Sequence, residues 1–147
     1  MITAIDTNVL LDILIPNEKF FELSLRAIEE AAGEGSLVVC DVVYAELCVQ
    51  FTSQRGCDEF LESNEIRVEP LSRAAHFLAS RIWLSYRRQA GPRSQILPDL
   101  FIGAHAVTQA NRLVSRDRGF YRKLFPTLSV IDPARCGPAA ETERERP

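Results

Sequence analysis

Four carboxylates pose the question in this sequence. Asp6 and Glu46 each stand just past a short apolar run, and Asp99 and Asp117 stand near two later ones. Brought within a few ångströms of one another they would repel, and the cluster would hold protons or destabilise the fold unless a cation were present. Oxygen-only ligands favour Mg²⁺ or Mn²⁺ over zinc, and no histidine or cysteine accompanies the set. Such an ion acidifies water and stabilises the charge that builds on a phosphate during in-line attack, so phosphodiester hydrolysis is the chemistry that fits best.

Each acid has a second reading. Asp6-Thr7-Asn8 can cap the helix after the first strand, Glu46 can sit on a surface stripe, Asp99 can complement a helix dipole, and Asp117 in Ser115-Arg116-Asp117 can be loop chemistry. Their joint placement shifts the weight. Asn8 and Ser115 are the polar groups placed to orient carboxylates or bound water. Asp12 and Asp132 read as structural, Asp41 as a helix N-cap, and His76 and His105 as helix residues without partners.

The elements that must position this set alternate. Ile2 to Ile5 is a β-branched run leading into a helix that Pro16 stops; a second helix starts at Asn17 and ends at Gly33 and Gly35. Leu37 to Cys40 reads as a strand, Val42 to about Thr52 as a helix, Cys57 to Ser63 as a shorter one, and Ile66 to Glu69 as a strand. Ser72 caps a long helix ending in Arg87 and Arg88, and Gln89 to Ile96 is a loop. Pro98 opens a helix through Asn111, followed by strand Leu113-Val114, a helix over Phe120 to Phe125, and strand Leu128 to Ile131. Strands alternating with helices predict an α/β fold: an open parallel sheet of about five strands with helices on both faces, in three α/β/α layers. Right-handed crossovers then bring the strand C-termini to one edge, where ligands of such sheets bind.

At 147 residues, 46% hydrophobic and 25% charged, the chain matches one globular domain, expected over residues 1–133, with a polar tail over 134–147 expected to be disordered. No apolar run approaches the ~20 residues that span a bilayer, and no secretory pattern opens the chain, so a cytoplasmic protein is expected. Cys40, Cys48, Cys57 and Cys136 form no metal-binding pair and read as reduced thiols. The net charge of −3 is asymmetric. Residues 1–71 carry 4 basic against 14 acidic side chains, and residues 72–147 carry 13 against 6. The second half, rich in arginine at Arg87, Arg88, Arg93, Arg116 and Arg118, is where a polyanion would bind; solvated helix faces and ion pairs with the acidic first half explain the same charge equally well.

Four blocks together carry a family resemblance. They are Ile5-Asp6-Thr7-Asn8-Val9-Leu10-Leu11, Glu46 on its helix, Asp99 through Ala106, and Ser115-Arg116-Asp117-Arg118-Gly119-Phe120. In order and approximate spacing they resemble the PIN-domain ribonucleases, and most of all the VapC toxins of type II toxin-antitoxin pairs, over about residues 1 to 133. The resemblance implies a Mg²⁺- or Mn²⁺-dependent endoribonuclease and usually a homodimer, inhibited by a cognate antitoxin that covers the acidic site. It assigns metal binding and catalysis to Asp6, Glu46, Asp99 and Asp117, with Asn8 and Ser115 in support.

The rivals are a non-catalytic RNA-binding scaffold, a receiver-like signalling domain and a phosphatase with an aspartate nucleophile. A receiver needs a lysine near its last strand, and neither Lys19 nor Lys123 is well placed; the phosphatase usually has a second Asp where Asn8 stands.

Overall fold

The computed structural model describes residues 1–90, 97–117 and 119–135. The β-branched run forms β1 (Ile2–Ile5), and with β2 (Ser36–Cys40), β3 (Ile66–Glu69), β4 (Arg112–Val114) and β5 (Val130–Ile131) it makes one sheet in the order β3-β2-β1-β4-β5. Every pairing is parallel. Leu37 to Cys40 and Thr3 to Ile5 are all buried, as expected of strands covered on both faces. The helices are α1 (Thr7–Leu14), α2 (Phe21–Glu34), α3 (Asp41–Cys48), α4 (Gln54–Ser63), α5 (Arg73–Ala90), α6 (Pro98–Gln109) and α7 (Phe120–Leu124). This is the expected α/β architecture.

The order of the strands locates the crevice. From β1 the chain steps outward through β2 to β3, then returns across the sheet to β4 on the other side of β1. Strands β1 and β4 therefore leave in opposite winding directions, and the gap beyond their C-terminal ends is the switch point at which open α/β sheets bind ligands. Asp6 follows β1 directly and Ser115 follows β4 directly. A receiver domain has the order 2-1-3-4-5, so the topology argues against that rival.

Local boundaries differ from the pattern in instructive ways. Asn17 does not start α2. Its Oδ1 accepts from the backbone of Phe20 in a turn, and the helix begins at Phe21. Asp41 is not the N-cap of α3: it lies inside the first turn, and its carboxylate accepts from Leu71 N–H at 3.4 Å, tying the β3–α5 connection to the helix. That helix ends at Cys48 and tightens into turns through Phe51. Ser53 caps α4 and Ser72 caps α5 through their hydroxyls. Of the expected Gln89 to Ile96 loop, Gln89 and Ala90 belong to α5; residues 91–96, like 118 and 136–147, lie outside the described residues.

Two packing details bear on the site. Gly103, on α6, faces the ring of Phe125, which occupies the space a Cβ would need. The contact brings α6, with Asp99 at its start, against the segment that follows α7. His105 on the same helix has a partner after all: its side chain is 1% exposed, and Nε2 lies 3.0 Å from Glu69 Oε1, an oxygen that Gln109 also donates to.

Burial pulls the His105 pKa below its usual value, against the opposing pull of Glu69. A lowered folded-state pKa contributes stability above the unfolded value near 6.5 and loses it as pH falls through the folded value. Denaturant midpoints are therefore expected to fall below pH 6, and less steeply in His105→Gln; parallel pH curves for the two proteins would contradict this.

The three cysteines among the described residues form no disulfide. Cys40 and Cys57 are buried and Cys48 half-buried, and burial pushes the Cys40 and Cys57 thiols up to about 11, as suits apolar filler. Cys136 lies outside the described residues. Trp83 is buried in the core. Among the described residues no helix is long and apolar enough to cross a membrane.

Candidate active site

Asp6 is the pivot. Its backbone N–H bonds Val114 O at 3.0 Å, extending the β1–β4 ladder by one step, and its carboxylate turns back to accept from Thr7 N–H at 2.7 Å, so capping does occur. The other oxygen accepts from Ser115 Oγ at 2.7 Å. Cap and site residue are thus one side chain. Ser115, fully buried after β4, orients the Asp6 carboxylate as expected of a supporting hydroxyl.

Glu46 reaches the same crevice from α3. Its Oε1 accepts from Thr7 Oγ1 at 2.7 Å, which settles the helix rotation that spacing left open. Thr7, quoted in the motif but given no role there, is therefore the residue that fixes the direction of Glu46. Asp99 enters from the first turn of α6, where Pro98 occupies the position at which a missing N–H costs nothing.

Asp117 is held from behind. Its two oxygens accept from Phe120 N–H and Tyr121 N–H at 2.8 Å each, so it caps α7. Gly119, at φ 107°, makes the left-handed turn that aims those amides at it.

The four carboxylates line one pocket of about 270 Å³, together with Thr7, Asn8, Leu11, Ser115, Phe120 and Tyr121. Among the described residues no lysine or arginine is in its wall. Burial raises the pKa of Asp6, offset in part by the Ser115 hydroxyl. Burial likewise raises that of Asp99, and the charges of Glu46 and Asp117 add to the effect. The pocket is a concentration of negative charge that no cationic side chain among the described residues of its wall compensates.

Whether a divalent cation fits follows from the donors. Among the described residues no group of three or more His, Cys, Asp and Glu side chains is drawn tightly enough to form a ready-made cage. Mg²⁺ does not require one. It keeps several of its waters and is commonly held by one or two carboxylates together with substrate phosphate. Hard oxygen donors around an uncompensated pocket therefore suit Mg²⁺ or Mn²⁺.

The other residues singled out in the sequence separate clearly. Asn8 Oδ1 accepts from Arg116 N–H at 3.2 Å, holding the β4–α7 loop beside α1. Arg116, expected on the polyanion side, instead places its guanidinium on Asp12, with Nε to Oδ2 at 2.7 Å and a second nitrogen to Oδ1 at 3.0 Å. Its plane covers the Phe20 ring at 3.9 Å. Asp12 is structural, as its sequence position suggests. Arg87 and Arg88 are exposed at the end of α5. The preceding Tyr86 packs edge-on against Phe120 of the pocket wall, with ring centres 6.3 Å apart, so the basic end of α5 lies at the pocket rim. Arg93 and Arg118 lie outside the described residues.

Sequence reasoning passed over Tyr121. Given no role within the helix over Phe120 to Phe125, it is 3% exposed and carries a hydroxyl into the pocket. Among the described residues it is the buried side-chain polar group without a hydrogen-bond partner, a situation that costs about 1–3 kcal/mol. Burial pushes its phenol pKa far up, and the neighbouring charges of Asp6 and Asp99 add to that. The available signal was its position four residues after Asp117, on a helix whose start Gly119 fixes.

A family profile for the PIN domain matches residues 3–125. Several solved structures share the fold. VapBC2 from Rickettsia felis, bound to a DNA fragment from its promoter, has a TM-score of 0.67 at 19% identity, over 90% of this chain and 98% of that one. VapBC-1 from nontypeable Haemophilus influenzae has a TM-score of 0.67 at 21% identity, over the same shares. FitAcB from Neisseria gonorrhoeae has a TM-score of 0.62 at 20% identity, again over 90% and 98%. None of the curated protein sequences matches significantly.

Proposed function

The chain belongs to the PIN-domain family, a family of nucleases, and on that premise we propose that it is a Mg²⁺- or Mn²⁺-dependent endoribonuclease acting as the toxin of a type II toxin-antitoxin pair. The observation that carries this reading is the pocket: Asp6, Glu46, Asp99 and Asp117 come from four separate segments to one cavity whose wall, among the described residues, holds no cationic side chain. A bound divalent cation would acidify the attacking water and offset the charge developing on the scissile phosphate.

The chain's own groups divide the work. Asp6 and Asp99, both partly desolvated, are the principal ligands. Ser115 and the Thr7 amide hold the Asp6 carboxylate in one plane. Glu46, steadied by the Thr7 hydroxyl, is placed to accept a proton or a hydrogen bond from water at the open side of the pocket. Asp117 contributes its remaining lone pairs while the α7 amides hold it in place.

Arg87 and Arg88 at the rim supply phosphate contacts that lay an RNA backbone across the pocket. Arg93 and Arg118 extend this basic set by sequence; Arg116 does not, because Asp12 holds its fork.

A protein partner follows from the same reading, supported by the fold shared with VapBC and FitAcB complexes, and a second copy of the chain is expected from the family resemblance alone. The test is expression in a bacterial host with and without the product of a small neighbouring reading frame. Wild-type chain alone is expected to arrest growth, the neighbour to relieve the arrest, and Asp6→Asn to cause none. Arrest that persists in Asp6→Asn would contradict the catalytic role, and arrest that the neighbour leaves untouched would contradict the pairing.

A further inference from the structure

Tyr121 has no role in what precedes, yet the fold holds it with care. Its ring packs edge-on against Phe120, with centres 5.5 Å apart, and lies 6.4 Å from Phe125. Phe125 is in turn seated against Gly103 of α6, the helix that carries Asp99. The backbone N–H of Tyr121 is bonded to Asp117, so the residue is fixed at its backbone and by its ring contacts. Its hydroxyl lies near enough to the carboxylates of Asp6 and Asp99 to lower the pKa of each by hydrogen bonding, yet its geometry falls short of a completed bond with either.

A phenylalanine would fill this space and bury no polar atom. A buried hydroxyl kept beside two carboxylates, close to both and well aligned with neither, is a donor whose bond is completed by a small movement of the carboxylates. Each carboxylate oxygen has two lone pairs, and one that binds a cation leaves others free to accept. Drawing Asp6 and Asp99 together around an ion brings such a lone pair within reach of the phenol.

We propose that Tyr121 is a positioning residue of the metal centre: its hydroxyl donates to the Asp6 and Asp99 carboxylates as they close on a divalent cation, and so fixes their orientation toward it. This rests on the metal-dependent reading above. Outer groups of this kind commonly change metal affinity by about 10–100-fold when removed.

The test is the thermal midpoint of wild type and Tyr121→Phe, followed across a Mn²⁺ titration. Without metal, Tyr121→Phe is expected to melt at the same temperature as wild type or higher, because no hydrogen bond is lost and an unsatisfied polar atom is removed. With Mn²⁺, stabilisation grows with occupancy, and the variant should need about 10–100-fold more Mn²⁺ for an equal rise. In RNA cleavage the Mn²⁺ concentration for half-maximal rate should shift by the same factor, with most of the rate recovered at saturating metal.

Equal Mn²⁺ dependence in the two proteins would overturn the proposal. So would a lower metal-free midpoint with unchanged Mn²⁺ dependence, which is the mark of a purely structural side chain. If Mn²⁺ stabilises wild type and variant alike, the tyrosine alone is dismissed; if it stabilises neither, the metal centre falls and the tyrosine's role with it.

Discussion

Asp6→Asn is expected to lower the rate of RNA cleavage by about 10³-fold or more, roughly 4 kcal/mol of transition-state stabilisation at 1.36 kcal/mol per decade. The amide keeps an oxygen for the Thr7 N–H and still meets the Ser115 hydroxyl, so the local geometry survives. What it loses is the charge that, on the proposed function, holds the cation.

The effect on stability has the opposite sign. Burial raises the Asp6 pKa above its ordinary value of 3.8. A group raised in the folded state contributes stability that is complete below the unfolded value and is lost as pH rises through the folded one. At neutral pH without metal the wild type therefore bears a penalty that Asp6→Asn does not, and the variant should unfold at equal or higher denaturant concentration. A variant that is inactive because it is unfolded, or one that is stable and still cuts RNA at the wild-type rate, would sink this assignment.

The second large effect lies behind the site. Asp12 is 3% exposed and receives the Arg116 fork, the Ser24 hydroxyl at 2.7 Å and the Asn17 amide at 3.2 Å. Asp12→Ala leaves a partly buried guanidinium and the buried Ser24 hydroxyl without their acceptor. Breaking a buried pair in this way costs about 3–5 kcal/mol, a large share of the ~5–15 kcal/mol that a domain has in total. Urea denaturation should show this loss for Asp12→Ala and a similar one for Arg116→Ala, with the double variant well short of their sum because the two share one interaction.

Arg116→Lys keeps the charge but not the fork, and should fall between. Losses under about 1 kcal/mol, of the size seen for exposed pairs, would show that the pair is ornamental. Arg116 is also flanked by Ser115 and Asp117 and bonds Asn8 through its backbone. The pair thereby clamps two site residues to α1, and folded Asp12→Ala protein should bind Mn²⁺ more weakly.

The same pair shows where sequence reading stops. The alternating elements, the strand Ile66–Glu69 and the start of α6 at Pro98 were legible because apolar runs, capping residues and proline act locally. So was the gathering of the four acids, since parallel strands send their C-terminal ends to one edge. The commitment of Arg116 was not legible: its partner is 104 residues away, and an arginine in a basic half reads the same whether it faces RNA or a buried carboxylate.

His105 was hidden for a similar reason, its acceptor lying on β3. Glu46 depended on the rotation of α3 about its own axis, which only the Thr7 contact fixes. Tyr121 was masked by its apolar ring, because a phenol's hydroxyl declares itself only once the helix carrying it is placed. Side-chain direction across long sequence separation is what composition and periodicity do not encode.

The most direct measurement is the chemistry of the cut. Purified chain is incubated with single-stranded RNA and Mn²⁺, with and without a chelator, and the ends of the fragments are identified. Attack by water held at the acidic pocket should release internal fragments with a 5′-phosphate and a 3′-hydroxyl, and chelation should abolish them. Fragments ending in a 2′,3′-cyclic phosphate, or cleavage undiminished by the chelator, would mean that the RNA's own 2′-hydroxyl is the nucleophile and that the carboxylates do not hold a working metal.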